Sequence, residues 1–140
     1  MTDIWNKEKR SEVMSRIRSQ GNKDTELRLI SIFREARITG WRRKQPLFGK
    51  PDFVFRKQRL AVFVDGCFWH GCPRCYRRPA SNQTYWDEKV QRNQKRDLQV
   101  TRELRRAGWH VLRIWEHQLS EKERGRLIKR VSRALANTAA

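Results

Sequence analysis

The sequence predicts an α/β fold, a small mixed β-sheet flanked by helices, and three observations carry the prediction. Amphipathic stretches and short apolar runs alternate in the order helix, strands, helix, strand, helix. A length of 140 residues suits one domain, 1–140, with no repeat and no low-complexity linker to divide it. Hydrophobic residues make up 37% and include six Trp, enough for a packed core despite a net charge of +18.

Taken in order, residues 8–19 carry Val13, Met14 and Ile17 among many charges and read as a short, basic, weakly amphipathic helix. Gly21 and Asn22 break it. Asp24 or Thr25 can cap a second helix running to Arg37, with Leu27, Ile30, Phe33 and Arg37 on one face and Gly40 as its stop. Residues 41–44 begin a strand, and 46–51 (PLFGKP) form a loop. The apolar runs 52–55 and 60–64, joined by 57–59, read as a strand hairpin. Residues 65–80 are too rich in Cys, Gly and Pro for regular structure. A long helix over 84–106 ends at Gly108, a strand follows over 109–115, and Ser120 with Glu123 forms a capping box. The last helix carries Leu127, Ile128, Val131 and Leu135.

Lys and Arg number 33 against 15 Asp and Glu, spread along the whole chain. A folded domain with this charge implies a polyanionic partner, with nucleic acid first. An anionic membrane surface is the alternative, but no helix pairs a Lys/Arg face with a Trp/Phe/Leu underside. No apolar run approaches the ~20 residues needed to span a bilayer. The polar start MTDIWNKEKR does not read as a signal peptide. A cytoplasmic location is therefore expected, where cysteine clusters more often serve metals than disulfides.

Asp52 heads one strand of the hairpin and Asp65 ends the other, so both fall at one edge of the sheet. Two carboxylates there can hold Mg²⁺ at a phosphodiester, although Asp is also a common turn residue. His70, five residues on, is suited to moving a proton near neutral pH. A metal-ligating or solvent-facing His70 stays open, since Cys67 and Cys72 flank it.

On the long helix, Trp86, Val90, Asn93, Asp97, Val100 and Leu104 share one face, so Asn93 and Asp97 interrupt an apolar stripe. Asp97 can orient His70 or a water on the metal, and Asn93 can meet a base edge or phosphate. Cys67-x4-Cys72-x2-Cys75 suits a structural tetrahedral Zn²⁺, with His117 the leading fourth ligand and His110 and His70 as competitors. Phe68, Trp69 and Trp86 lie beside this loop. They can wedge into a duplex, most cheaply at a mismatch, or they can belong to the core.

Four motifs together, P-D-F-V-F, V-F-V-D-G-C-F-W-H-G-C-P, Y-W-x-x-K-x-x-x-N-x-x-R-D and G-W-x-V-L-x-x-W-E-H, follow the order and spacing of Vsr-type very short patch repair endonucleases. The resemblance runs from about residue 8 to 135 and includes M-S-R-I-R and T-E-L-R-L near the start. It implies a restriction-endonuclease-like core over 21–137 with one structural zinc, and a basic DNA-contacting helix within 1–20. It also implies Mg²⁺-dependent nicking of double-stranded DNA 5′ of the thymine in a T:G mismatch left by 5-methylcytosine deamination.

By the same resemblance Asp52 ligates Mg²⁺ with the Val64 carbonyl beside it. Asp65 takes the next position, and His70 moves the proton. Glu26 and Asp97 hold waters on the ion or orient His70. Cys67, Cys72, Cys75 and His117 match the zinc ligands. Phe68, Trp69 and Trp86 match an aromatic wedge, Met14 an N-terminal helix in the opposite groove, and Lys89 and Asn93 contacts near the mismatch. A monomer in the bacterial cytoplasm at the nucleoid is expected, with mismatch-repair proteins as candidate partners. Cys67 stands where many restriction-type nucleases place a Lys. Two rivals remain: a nickase or restriction-type nuclease of paired DNA, and a zinc-stabilised nucleic-acid-binding module without catalysis.

Overall fold

The computed structural model describes residues 25–138. The helix expected over 8–19, and Met14 with it, lies outside the described residues. Helix α1 covers 25–35, followed by β1 (Trp41–Arg43), β2 (Phe53–Phe55) and β3 (Leu60–Asp65). Helix α2 (Gln83–Arg106), β4 (His110–Trp115), a 3₁₀ turn (Glu116–Leu119) and α3 (Glu121–Thr138) complete the chain. The strands lie in the order β1-β2-β3-β4. The first two pairings are antiparallel and β3–β4 is parallel, so the sheet is mixed as expected.

Side chains of a strand alternate between faces, and β3 and β4 use this to build two cores. Leu60, Val62 and Val64 of β3 with Leu112 and Ile114 of β4 face one side, where Leu29, Phe33, Leu127 and Val131 of α1 and α3 cover them. Ala61 and Phe63 face the other side, against Val100 and Leu104 of α2. The alternation therefore puts Asp65 of β3 and Arg113 of β4 on the α2 side, with Phe63 paired to Arg113 and Asp65 to Trp115.

Helix α1 differs from expectation in its buried face and in its stop. Leu29, Ile30, Ile32 and Phe33 are buried, whereas Leu27 is 48% exposed. The run L-R-L-I-S-I-F is apolar enough to fit two helical registers, and packing on the Phe53–Phe55 strand selects the second. Arg37 is not on the helix face. It takes a left-handed φ of 57°, with its N–H on the Arg34 carbonyl (3.2 Å) and the Ile38 N–H on the Phe33 carbonyl (2.8 Å). This is a Schellman stop three residues before Gly40. Helix α2 ends the same way at Gly108, as expected (φ 92°), with the Trp109 N–H on the Leu104 carbonyl at 2.9 Å.

Loop 46–51 lies against α2. Gly49 has φ 81°, and a Cβ there would stand 2.3 Å from Val100 Cγ1. Only glycine allows this approach. Gly125 sits inside α3, and a Cβ there would meet nothing within 4 Å. Urea unfolding should report Gly49→Ala as destabilising by about 1–3 kcal/mol through overpacking. Gly125→Ala should stabilise by about 0.5–1 kcal/mol through helix propensity.

Candidate active site and metal centre

The β2–β3 hairpin fixes the first carboxylate. Asp52 directly precedes β2, and its Oδ2 accepts the Val64 N–H at 2.7 Å, so it lies at the carboxyl end of β3 as the sequence implied. Burial pushes the Asp52 carboxyl up to about 7, against the Val64 hydrogen bond, and the neighbouring Glu26 carboxylate adds to the rise. Glu26, on α1, is paired with Arg43. Asp65, 6% exposed, is also raised by burial, with His70 and Arg113 working the other way. Buried carboxylates pushed towards the neutral form are the donors that a hard divalent cation would re-ionise.

His70 enters from the irregular loop after β3. Its Nδ1 lies 2.5 Å from Asp97 Oδ2 and 3.9 Å from Asp65 Oδ1. Carboxylates only accept, so Nδ1 carries the proton and Nε2 is left as the exchangeable nitrogen. Burial would lower the His70 pKa, but the Asp97 hydrogen bond and the Asp65 charge outweigh it and raise it. Asp97 thus does what the interrupted apolar stripe of α2 suggested. Asp52, Asp65, His70 and Asp97 line one cleft of about 280 Å³, together with Lys50, Lys89, Arg96 and Arg113.

Asn93, expected to contact DNA, also holds the loop that carries His70. Its Nδ2 donates to the Trp69 carbonyl at 2.7 Å, and Gln94 Nε2 donates to the His70 carbonyl at 3.1 Å. Helix α2 therefore holds the loop main chain on both sides of the His70 Cα. The aromatic rings form one cluster: Phe68 lies 5.4 Å from Trp69 and 5.3 Å from Trp86. Trp86 is 6% exposed and supports the other two from below, while Phe68 and Trp69 are half-buried.

The second cluster forms where β3 and β4 run out. The Sγ atoms of Cys67, Cys72 and Cys75 stand 3.5, 3.6 and 3.4 Å from His117 Nδ1. All four donor atoms lie within 4.8 Å of one another, and the group could hold a metal ion. A tetrahedral ion with bonds of ~2.3 Å to sulfur and ~2.0–2.1 Å to nitrogen needs donor separations of about 3.6–3.8 Å, close to those found. Burial pushes the Cys67 thiol up to about 12, a rise that coordination as a thiolate would reverse. Of the competing histidines, His110 lies at the opposite end of β4, paired with Leu60, and His70 is held by Asp97.

Sequence reasoning did not single out Arg113, Lys50 or Arg96. For Arg113 the signal was present as a lone cation at an inward position of the strand H-V-L-R-I-W. Lys50 adjoins Asp52 through Pro51, in a left-handed turn (φ 51°), and lines the cleft.

Carboxylates and an imidazole gathered at one end of a sheet, in a cationic cleft beside aromatic rings, suit a hydrolase acting at a phosphodiester. Residues 2–77 match the family described as DNA mismatch endonuclease Vsr. The chain is 35% identical to the DNA mismatch endonuclease Vsr of Escherichia coli (strain K12) over 128 residues, 89% of this chain and 80% of that protein. It is 39% identical to the type II nicking enzyme V.NmeDIP of Neisseria meningitidis serogroup C over 80% of this chain and 76% of the relative. Identity to the type II nicking enzyme V.NaeI of Lentzea aerocolonigenes is 54%, over 49% of this chain and 42% of that protein. The chain belongs to the Vsr family of DNA mismatch endonucleases and is a DNA endonuclease. Among the described residues no helix is long and apolar enough to cross a membrane.

Asn93→Asp should remove the donor to Trp69 and set an anion against its carbonyl. A loss of about 1–3 kcal/mol is expected in urea unfolding, with nicking reduced as the His70 loop loosens.

Proposed function

We propose that this enzyme nicks double-stranded DNA 5′ of the thymine in a T:G mismatch of the kind left by 5-methylcytosine deamination. Mg²⁺ would be the catalytic ion and Zn²⁺ the structural one. The observation that carries the reading is the His70–Asp97 pair beside the half-buried Asp52 carboxylate in a cleft rimmed by Lys50, Lys89 and Arg96. The Asp52 carboxylate and the Val64 carbonyl would hold Mg²⁺. When bound, such an ion activates water and neutralises charge at the phosphodiester.

The chain's own groups do the rest. Asp97 keeps the His70 ring turned with Nδ1 inward, so Nε2 exchanges the proton that hydrolysis moves. Glu26, adjacent to Asp52 and neutralised by Arg43, sets the polarity of the far side of that carboxylate. Half-buried Lys89 and exposed Arg96 are cations on the α2 wall of the cleft and suit backbone phosphates. Phe68 and Trp69, backed by Trp86, present rings beside the cleft, and unstacking costs least at a mispaired step. One chain carries every group named, which is consistent with a monomer acting on the duplex. The names of two relatives, the type II nicking enzymes V.NmeDIP and V.NaeI, support strand nicking, which the second reading, a nickase of paired DNA, shares.

Zinc suits three thiolates and one imidazole at these separations, and closing the loop onto β4 supplies the staple that so short a chain needs. Purified protein should contain one Zn²⁺ per chain by elemental analysis. Cys72→Ala and Cys75→Ala should lose both zinc and soluble yield. Active protein free of zinc would contradict the assignment.

Asp52→Ala and His70→Ala should each reduce nicking of a T:G duplex by ~10² or more. Duplex affinity should change little, and His70→Ala should keep its zinc. Near-normal nicking by His70→Ala would remove the proposed mechanism, and loss of zinc in that variant would make His70 a ligand.

A further inference from the structure

Arg113 is a half-buried guanidinium with no task in the mechanism proposed so far. Its side chain is 22% exposed, on the α2 face of an inner position of β4. A charge in such a place is costly unless it is fully paired. Nη1 donates to both oxygens of Asp65, at 3.0 and 3.3 Å, and lies 3.7 Å from Asp97 Oδ1. Nη2 donates to the Asp97 carbonyl at 3.1 Å, and Nε donates to Thr101 Oγ1 at 2.9 Å. The guanidinium plane also covers Phe63, 4.2 Å from the ring centroid.

All three nitrogens are therefore engaged with fixed partners from β3 and α2. An arginine meant for a phosphate keeps its fork open, as the exposed Arg96 does on the rim. Arg113 instead ties together the two carboxylates that flank His70: Asp97 at 2.5 Å and Asp65 at 3.9 Å. Both Asp65 oxygens accept from its Nη1, whereas Asp52 accepts from the Val64 N–H.

We infer that Arg113 is the positioning residue of the proton-transfer pair, holding Asp97 and Asp65 in place around His70, and that Asp65 belongs to this brace. The inference rests on the reading of His70 as the residue that moves the proton. Without the guanidinium, two neighbouring carboxylates would repel across the cleft, and Asp97 would lose the contact that fixes its backbone and side chain together. Misplacing a reacting group by ~1 Å can cost ~10²-fold in rate.

The test is single-turnover nicking of a T:G duplex in saturating Mg²⁺, with duplex affinity and thermal midpoint measured on the same proteins. Arg113→Gln should slow nicking by ~10²-fold while the dissociation constant moves less than ~3-fold, which is about 0.6 kcal/mol. Arg113→Lys, which keeps the charge and loses the fork, should recover part of the rate. In an Asp97→Asn background, Arg113→Gln should cost little more, because both act through His70.

Affinity falling in step with rate, or the two substitutions multiplying, would overturn the inference. If Arg113→Gln alone does not fold, the Asp65→Asn/Arg113→Gln pair removes both charges together. A slow pair with intact affinity supports the brace, and a pair with wild-type rate overturns it. Failure of the underlying reading looks different: wild-type protein would not nick the duplex, or His70→Ala would nick it normally.

Discussion

The parallel pairing of β3 with β4 is the constraint on which the rest of this structure depends. Six register pairs run from Leu60↔His110 to Asp65↔Trp115. Two residues past the end of each strand stand Cys67 and His117, whose side chains meet at 3.5 Å. One register thus fixes the metal cluster at the strand ends and sets Arg113 against Asp65 just below it. A slip of one residue in β4 would turn Arg113 to the face opposite Asp65 and leave His117 away from the cysteines. Placing chemistry outside the carboxyl ends of adjacent parallel strands is the general habit of open α/β sheets.

Electrostatics then divides the cleft into two halves. On one side stands Asp52, pushed up to about 7 by burial and by Glu26, with no cation hydrogen-bonded to it among the described residues. That half calls for an ion. On the other side Asp65 and Asp97 share Arg113, and His70 leans on Asp97. That half already has a cation of its own and can hold an imidazole in one orientation. The surrounding net charge of +18 favours the approach of a polyanion to both.

Much of this is legible in the sequence, because it depends on local rules. Strand runs, the Gly108 stop, the Asp52–Asp65 edge, the polar break at Asp97 and the cysteine spacing follow from periodicity and ligand chemistry. Sequence and structure part where tertiary contacts decide. Leu27 and Leu29 are equally apolar, and only the sheet beneath α1 selects Leu29. Arg37 supplies a left-handed stop that composition assigns to Gly40. Trp86 packs under Phe68 and Asn93 holds the Trp69 carbonyl, contacts that the sequence does not reveal. Arg113 is hidden among 33 basic residues, since charge alone does not distinguish a brace from a phosphate contact.

That these groups form a mismatch-directed nicking site is tested most directly by one rate. It is the Mg²⁺-dependent single-turnover rate on a T:G duplex beside its fully paired control of the same sequence. A single-strand cut 5′ of the mispaired thymine is expected, with the paired control cut far more slowly at equal enzyme. Equal rates on the two duplexes would contradict the mismatch assignment, and no Mg²⁺-dependent cut on either would contradict the site itself.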